Sequence, residues 1–232
     1  MSDEKRERDL KQLRREISIL RKMPRHENIV ELIECFEEFD WCYLVLELVP
    51  EGNLVDLRHC RKLDEQEAAF IFRQLVIGLR FLHEHDVIHR DLKLENVLVA
   101  AERKEGNLSF FLVKIADFGL SKEVGDGCSV AQSRVGTQSY AAPEVYIGKP
   151  YTKEVDLWSL GATLYTLLAG RLLERKEAVP EQSEIASKIE QLTGIASSQV
   201  CSVLTGLLQV DPSQRTRLEA LQGCAWINQQ LG

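Results

Sequence analysis

The stretch VIHRDLKLENVLV occupies residues 87–99. Two apolar ends enclose His89, Arg90, Asp91, Lys93, Glu95 and Asn96. Runs that look buried seldom hold so many polar groups between them unless a loop is being fixed for chemistry. Asp91, Lys93 and Asn96 bring a carboxylate, an ammonium and an amide onto one tight loop. Further on, KIADFG (114–119) sets Asp117 at the end of a second apolar run. Two carboxylates and an amide oxygen are hard ligands, suited to Mg²⁺, which keeps part of its shell for phosphate. Asp91 can then accept or orient a hydroxyl proton while Lys93 steadies a transferring phosphate. In such phosphoryl transfer, positioning and charge neutralisation carry the rate.

Outward from this stretch, the chain has 232 residues and is 44% hydrophobic, enough for one large domain or two small lobes around a core. The net charge of -7 argues against a nucleic-acid binder. The N-terminal MSDEKRERDLKQ is too charged for a secretory signal. The apolar run 157–170 is short of the ~20 residues that span a bilayer, so no membrane is expected. Six cysteines, scattered and with no CxxC pair, read as reduced thiols of an intracellular protein, cytoplasmic or nuclear.

Leu10, Leu13, Ile17 and Leu20 recur at helical spacing and predict one amphipathic helix over 3–23, stopped near Pro24. NIVELIECFEEF and WCYLVLELV predict a hairpin, and PEGN (50–53) a turn between lobes. Asp64 and Glu67 form a capping-box pattern opening a helix that ends near Asp86. VLVA (97–100) and FLVKIADF (111–118) read as strands, with AERKEGN (101–107) as a surface loop between them. Residues 155–170 are apolar nearly all round, the pattern of a centrally buried helix. Two or three helices are expected over 184–230. The fold class is α+β: a small mixed lobe over 1–49 and a mainly helical large lobe over 50–232.

HRDLKLEN (89–96), DFG (117–119) and APE (142–144) resemble, in order, the catalytic loop, metal loop and activation-segment end of the eukaryotic protein kinases. The resemblance runs from Glu16 to about Trp226 and implies a two-lobed kinase fold. It implies transfer of the γ-phosphate of ATP, with Mg²⁺, to a protein substrate. Asp91 would be the base, Lys93 the contact to the transferred phosphate, and Asn96 and Asp117 the metal ligands. Lys93 in DLKLEN is the serine/threonine form. Glu16 would sit on the regulatory helix, facing an ATP-anchoring lysine. Leu46, Glu47 and Leu48 resemble the adenine hinge, with Leu46 as gatekeeper; Glu95 and Leu98 would also border the nucleotide. Leu20, Leu32, His89 and Phe118 match the apolar spine, anchored by Asp156, and Gly119 completes the metal loop. Glu144 and Arg215 match a structural ion pair. Arg90 faces the activation segment, where Ser129, Ser133 and Thr137 are candidate acceptors for an upstream kinase. NVLV, YAAPEV and the segment 207–227 look closest to the calmodulin-dependent group, nearest the checkpoint kinases. Many members of that group read an upstream arginine with two acids. Glu95 matches one, but Asn53 stands where the other is usual.

Set against these roles, His89 reads as a packing residue rather than a base, and Asp156 and Trp158 read as structural. His26, His59 and His85 read as surface groups. The 232 residues contain no GxGxxG, and no VAIK-like strand precedes Glu16. In kinases a glycine-rich hairpin and a strand lysine hold the phosphates. The hairpin over 28–49 is therefore expected to leave a sheet edge open. Three readings follow: part of an active kinase, a short pseudokinase that binds partners, or a regulatory splice decoy. The intact Asp91, Lys93, Asn96 and Asp117 favour the first.

Overall fold

The computed structural model describes residues 3–38, 41–123 and 138–228. Helix α1 (Asp3–Lys22) follows the predicted amphipathic pattern and buries Ile17, Ile19 and Leu20. Strands β1 (Leu32–Glu38) and β2 (Trp41–Leu46) pair antiparallel, as the two apolar runs implied. Arg21 Nη2 of α1 donates to Cys35 Sγ of β1 at 2.8 Å, tying the helix to the pair. Phe36 and Tyr43 stack across it with centroids 5.0 Å apart, yet both rings are exposed, as is Trp41. One face of the two-stranded sheet is therefore open to solvent.

The expected turn forms at 50–53 and leads into α2 (Leu54–Cys60), a helix that the apolar pattern does not reveal. Asn53 caps it: its side chain accepts from Val55 N and Asp56 N, and the Asp56 carboxylate accepts from Asn53 N. Helix α3 (Glu65–Glu84) opens on the predicted Asp64 and Glu67 capping box. Glu67 is buried and does more than cap. It accepts from both terminal nitrogens of Arg61, at 2.8 and 2.9 Å, and from Ser109 N. Strand β3 (Val87–Ile88) then feeds the polar stretch.

Strands β4 (Val97–Glu105) and β5 (Leu108–Ile115) form a long hairpin, so the segment predicted as a surface loop is mostly strand. Only Gly106 and Asn107 turn, and Gly106 takes a φ of 61° that glycine tolerates without strain. The charged residues 102–105 are exposed, so the strand shows no apolar alternation to read. Segments from both sides zip onto this hairpin. Val30 N donates to Ile115 O at 2.9 Å, and Val99 N to Gly52 O at 2.8 Å. Strand β6 (Lys122–Glu123) pairs with β3.

The remainder is helical. Helix α4 (Pro143–Tyr146) precedes α5 (Glu154–Ala169), the all-round apolar helix, buried along nearly its whole length as predicted. Helices α6 (Gln182–Glu190), α7 (Ser198–Leu207), α8 (Leu218–Gln222) and α9 (Ala225–Asn228) pack outside it, more pieces than the two or three expected. At Gly161 of α5 a Cβ would stand 2.9 Å from Leu207 Cβ, so the absent side chain lets α5 and α7 approach. Trp158 is fully buried, and Glu144 and Arg215 form the expected pair. Two guanidinium nitrogens of Arg215 reach the two Glu144 oxygens at 2.6 and 2.8 Å, the bidentate fork that arginine geometry favours.

Candidate active site

The loop after β3 is shaped by one buried carboxylate. Asp156, at the start of α5, accepts from His89 N and Arg90 N, each at 2.8 Å. Its Oδ2 also accepts from His83 Nε2 of α3 at 2.9 Å. Burial alone would raise the Asp156 carboxyl; the hydrogen bond and charge of His83, with His89 and the Arg90 N–H, outweigh it and hold it below the ordinary range. The two N–H bonds let Arg90 keep a φ of 70°, in the left-handed region that non-glycine residues seldom adopt.

His89 is fully buried and saturated. Its Nδ1 accepts from Asp91 N at 3.3 Å and its Nε2 donates to Ala116 O at 3.1 Å. Its ring meets Phe118 edge-on, with centroids 5.3 Å apart. Both nitrogens are committed to backbone, which suits a packing and orienting group. Leu20 and Phe118 are buried and Leu32 is half-buried, so all four residues of the expected apolar stack contribute to the interior.

Asp91 is buried against Lys93 and Asn96. Lys93 Nζ contacts its Oδ2 at 2.7 Å. Asn96 Nδ2 donates both to Asp91 O at 2.9 Å and to Asp91 Oδ2 at 3.1 Å. Asn96 is fixed by a short 3₁₀ turn, where its N–H bonds Lys93 O. With both amide protons used, Asn96 Oδ1 is left as an acceptor.

Asp117 follows β5 with a φ of 62°. Its Oδ1 accepts from Gly119 N at 3.2 Å, and the residue is exposed to solvent. Three described non-glycine residues have positive φ, and two of them, Arg90 and Asp117, flank this site. Such backbone persists where surroundings over-determine it, and it clusters at functional sites. Ser121, fully buried, joins the two loops by donating to His89 O at 3.2 Å.

The carboxylate expected to face a lysine does something else. Glu16 Oε1 of α1 accepts from Phe118 N at 3.3 Å, across 102 residues of sequence. Burial first, then the Asp117 charge, raises the Glu16 carboxyl, while the Phe118 N–H partly offsets this. The described residues give it no lysine partner.

The expected hinge ends β2. Leu46 is just over a third exposed and Leu48 almost wholly so. The Glu47 side chain is structural: its Oε1 accepts from Glu31 N at 2.9 Å and meets Lys114 Nζ at 2.8 Å. Glu95 is exposed beside Asn96, and Leu98 is half-buried on β4. Arg90 reaches Tyr151 OH at 3.1 Å and Ser121 O at 3.5 Å. Ser129, Ser133 and Thr137 lie outside the described residues.

The profile of the protein kinase domain matches residues 1–227. The chain belongs to the protein kinase family. Among its relatives, the human NUAK family SNF1-like kinase 2 is 38% identical over 97% of this domain and 34% of its own length. The Arabidopsis thaliana SNF1-related protein kinase catalytic subunit alpha is 37% identical over 94% of the domain and 43% of its own length. A mouse PAS domain-containing serine/threonine-protein kinase is 38% identical over 92% of the domain and 15% of its own length. The first two are named as SNF1-like and SNF1-related kinases and the third as a serine/threonine-protein kinase. The chain spans less than half the length of each. The two-lobe α+β kinase fold expected from the motifs is the one observed, with few strands in its small lobe.

Three features of the structure carry no signal in the sequence. His83, a partner of Asp156, lies 73 residues from it in the sequence. Ser121 carries no pattern signal. His26, read as a surface group, is half-buried, stacked on Phe81 with centroids 4.4 Å apart.

Proposed function

We propose that the domain transfers the γ-phosphate of Mg·ATP to serine or threonine hydroxyls of protein substrates. The observation that carries this reading is the Asp91, Lys93 and Asn96 cluster, held beside Asp117 by loops whose backbone is committed to Asp156 and His89.

In this reading Asp91 receives the acceptor hydroxyl. The Lys93 ammonium and Asn96 amide keep its Oδ2 in place, so its orientation is set before substrate arrives. Lys93 also offers positive charge to the phosphate in flight. Asp117 Oδ2 and Asn96 Oδ1 are the oxygens for Mg²⁺. The donor set fits that ion. One carboxylate and one amide oxygen leave most of the shell for phosphate and water, and no larger cluster of acidic, histidine or cysteine ligands occurs among the described residues. When bound, Mg²⁺ neutralises charge developing on the transferred phosphoryl group. The strained Asp117 backbone and its bond to Gly119 N fix the carboxylate without help from the ion. Leu46, Leu48 and Leu98 would border the adenine, with the backbone of 46–48 supplying its hydrogen bonds. Glu16 would position the metal loop through Phe118 N. Residues 1–49 would act as the small lobe and 50–232 as the large one. No helix among the described residues is long and apolar enough to cross a membrane, and the five described cysteines are free thiols, which fits a reducing compartment, cytoplasm or nucleus.

The test is transfer from γ-labelled ATP with Mg²⁺ to a protein mixture, followed by phosphoamino-acid analysis. Label on phosphoserine or phosphothreonine supports the reading. Folded protein that transfers no label would favour the alternative of a partner-binding regulatory module.

A further inference from the structure

A cavity of about 220 Å³ opens beside the catalytic loop, on the side of the Asn96 turn. Arg58 and His59 from α2, Glu95 from the turn, Tyr140, and Gly170 and Arg171 after α5 line it. It contains two permanent cations and one acid. In a chain of net charge -7 this local balance is reversed.

Arg58 is the informative member. Gly170 caps α5 with a φ of 69°, and any Cβ there would collide with Arg58 Nη2. The guanidinium thus lies against the C-terminal end of α5, where the helix dipole favours a cation. Its Nη1 makes one long bond, 3.4 Å, to Arg61 O. Its Nε is buried and has no hydrogen-bond partner among the described residues. Burial pulls the Arg58 pKa down from its ordinary value, the mark of a cation that has lost water and gained no counter-ion. Among the described residues Arg171 bonds a neutral partner, Gln191 Oε1, at 2.7 Å. The neighbouring Arg61 differs, being engaged by both oxygens of Glu67.

Glu95 is the opposing charge. It is exposed, so solvent screens it more than the half-buried Arg58. The polar groups at the start of α2, Asn53 and Asp56, are spent on its cap and do not line the cavity. Tyr140, whose hydroxyl is pushed up to about 12 by burial and then by Glu95, stays an uncharged wall.

We infer that this pocket receives an anionic side chain of the protein substrate, so that the domain selects acidic rather than arginine-bearing segments. The anion is an aspartate, a glutamate or a phosphorylated residue a few positions from the acceptor hydroxyl, since Glu95 and Asn96 share one turn. This inference rests on the protein-kinase reading of the Asp91 site.

The test uses the whole chain and fluorescent peptides with one serine acceptor. Glutamate, phosphoserine, alanine or arginine is placed in turn at each flanking position, and binding is read by anisotropy without nucleotide. At one or more positions the anionic peptides should bind roughly 3- to 10-fold tighter than the alanine peptide, with arginine weakest. Arg58→Leu should erase the preference, so that anionic and alanine peptides bind alike. Arg171→Ala, at an exposed position, should reduce it. Tight binding of the phosphoserine peptide alone would assign the pocket to phosphate rather than carboxylate. Equal binding of alanine and anionic peptides, tightest binding of an arginine peptide, or no measurable peptide binding would each overturn the inference. Transfer to the alanine peptide is measured alongside. Transfer without anionic preference sinks the pocket alone, and anionic preference without transfer sinks the kinase reading alone.

Discussion

Asp156→Ala is the sharpest probe of how the catalytic loop is held. The carboxylate is fully buried and accepts two backbone N–H groups, from His89 and Arg90, each at 2.8 Å. Truncation leaves both donors without a partner inside the protein. Each buried unmet donor costs about 1–3 kcal/mol, so the loss from these two is about 2–6 kcal/mol. A domain has only about 5–15 kcal/mol to lose, so the variant should be marginal or unfolded at 37 °C. Asp156→Asn keeps one carbonyl oxygen but turns an NH₂ toward the second site. Its cost should be roughly half as large. The assay is urea unfolding followed by far-UV circular dichroism, read as a shift in midpoint at unchanged slope. An alanine variant losing less than about 1 kcal/mol would refute the view that Asp156 fixes the loop. The left-handed backbone at Arg90 would then need another cause.

Asp117→Asn should weaken Mg·nucleotide binding at least about tenfold in titration calorimetry, because it replaces a charged oxygen donor with a neutral one. Unchanged affinity would contradict the metal role. The acid dependence of stability should split by residue. Glu67 and Asp156 are held below the ordinary carboxylate range, so their contribution is present above about pH 4 and is lost as pH falls through their folded values. Glu16 is raised, so the opposite sign applies: its contribution is full below the ordinary carboxyl pKa and is lost as pH rises through the folded value. Glu16→Gln keeps an acceptor for Phe118 N and removes that charge. It should leave stability at pH 7 unchanged or raised, and the gain should vanish in acid. A large loss at pH 7 with no acid convergence would show that the Glu16 charge is itself stabilising.

The stretch proposed as catalytic was legible because its groups bond close neighbours. Asp91, Lys93 and Asn96 bond one another within five positions, and the capping box at Asp64 is as local. The helices α1, α3 and α5 were legible from apolar periodicity. Seven-residue α2 is too short to show a period, although Asn53 and Asp56 do repeat the capping pattern found at α3. The outer half of β4 is charged and exposed, so its pairing with β5 leaves no alternating signature. Partners far apart were invisible to any spacing rule. His89 meets Asp156 across 67 residues and Glu16 meets Phe118 across 102. The charge of the Arg58 pocket is of the same kind, since Arg58 and Arg171 become neighbours only when α5 ends against α2.

The most direct measurement is single-turnover phosphate transfer from γ-labelled Mg·ATP by Asp91→Asn beside the wild-type chain, with matched melting temperatures. Asparagine preserves the shape of the site and removes the carboxylate proposed to receive the hydroxyl proton. A rate lower by about 10²–10⁴-fold, with Mg·nucleotide affinity unchanged, is the expected result. Transfer at the wild-type rate would mean that Asp91 does not do this chemistry.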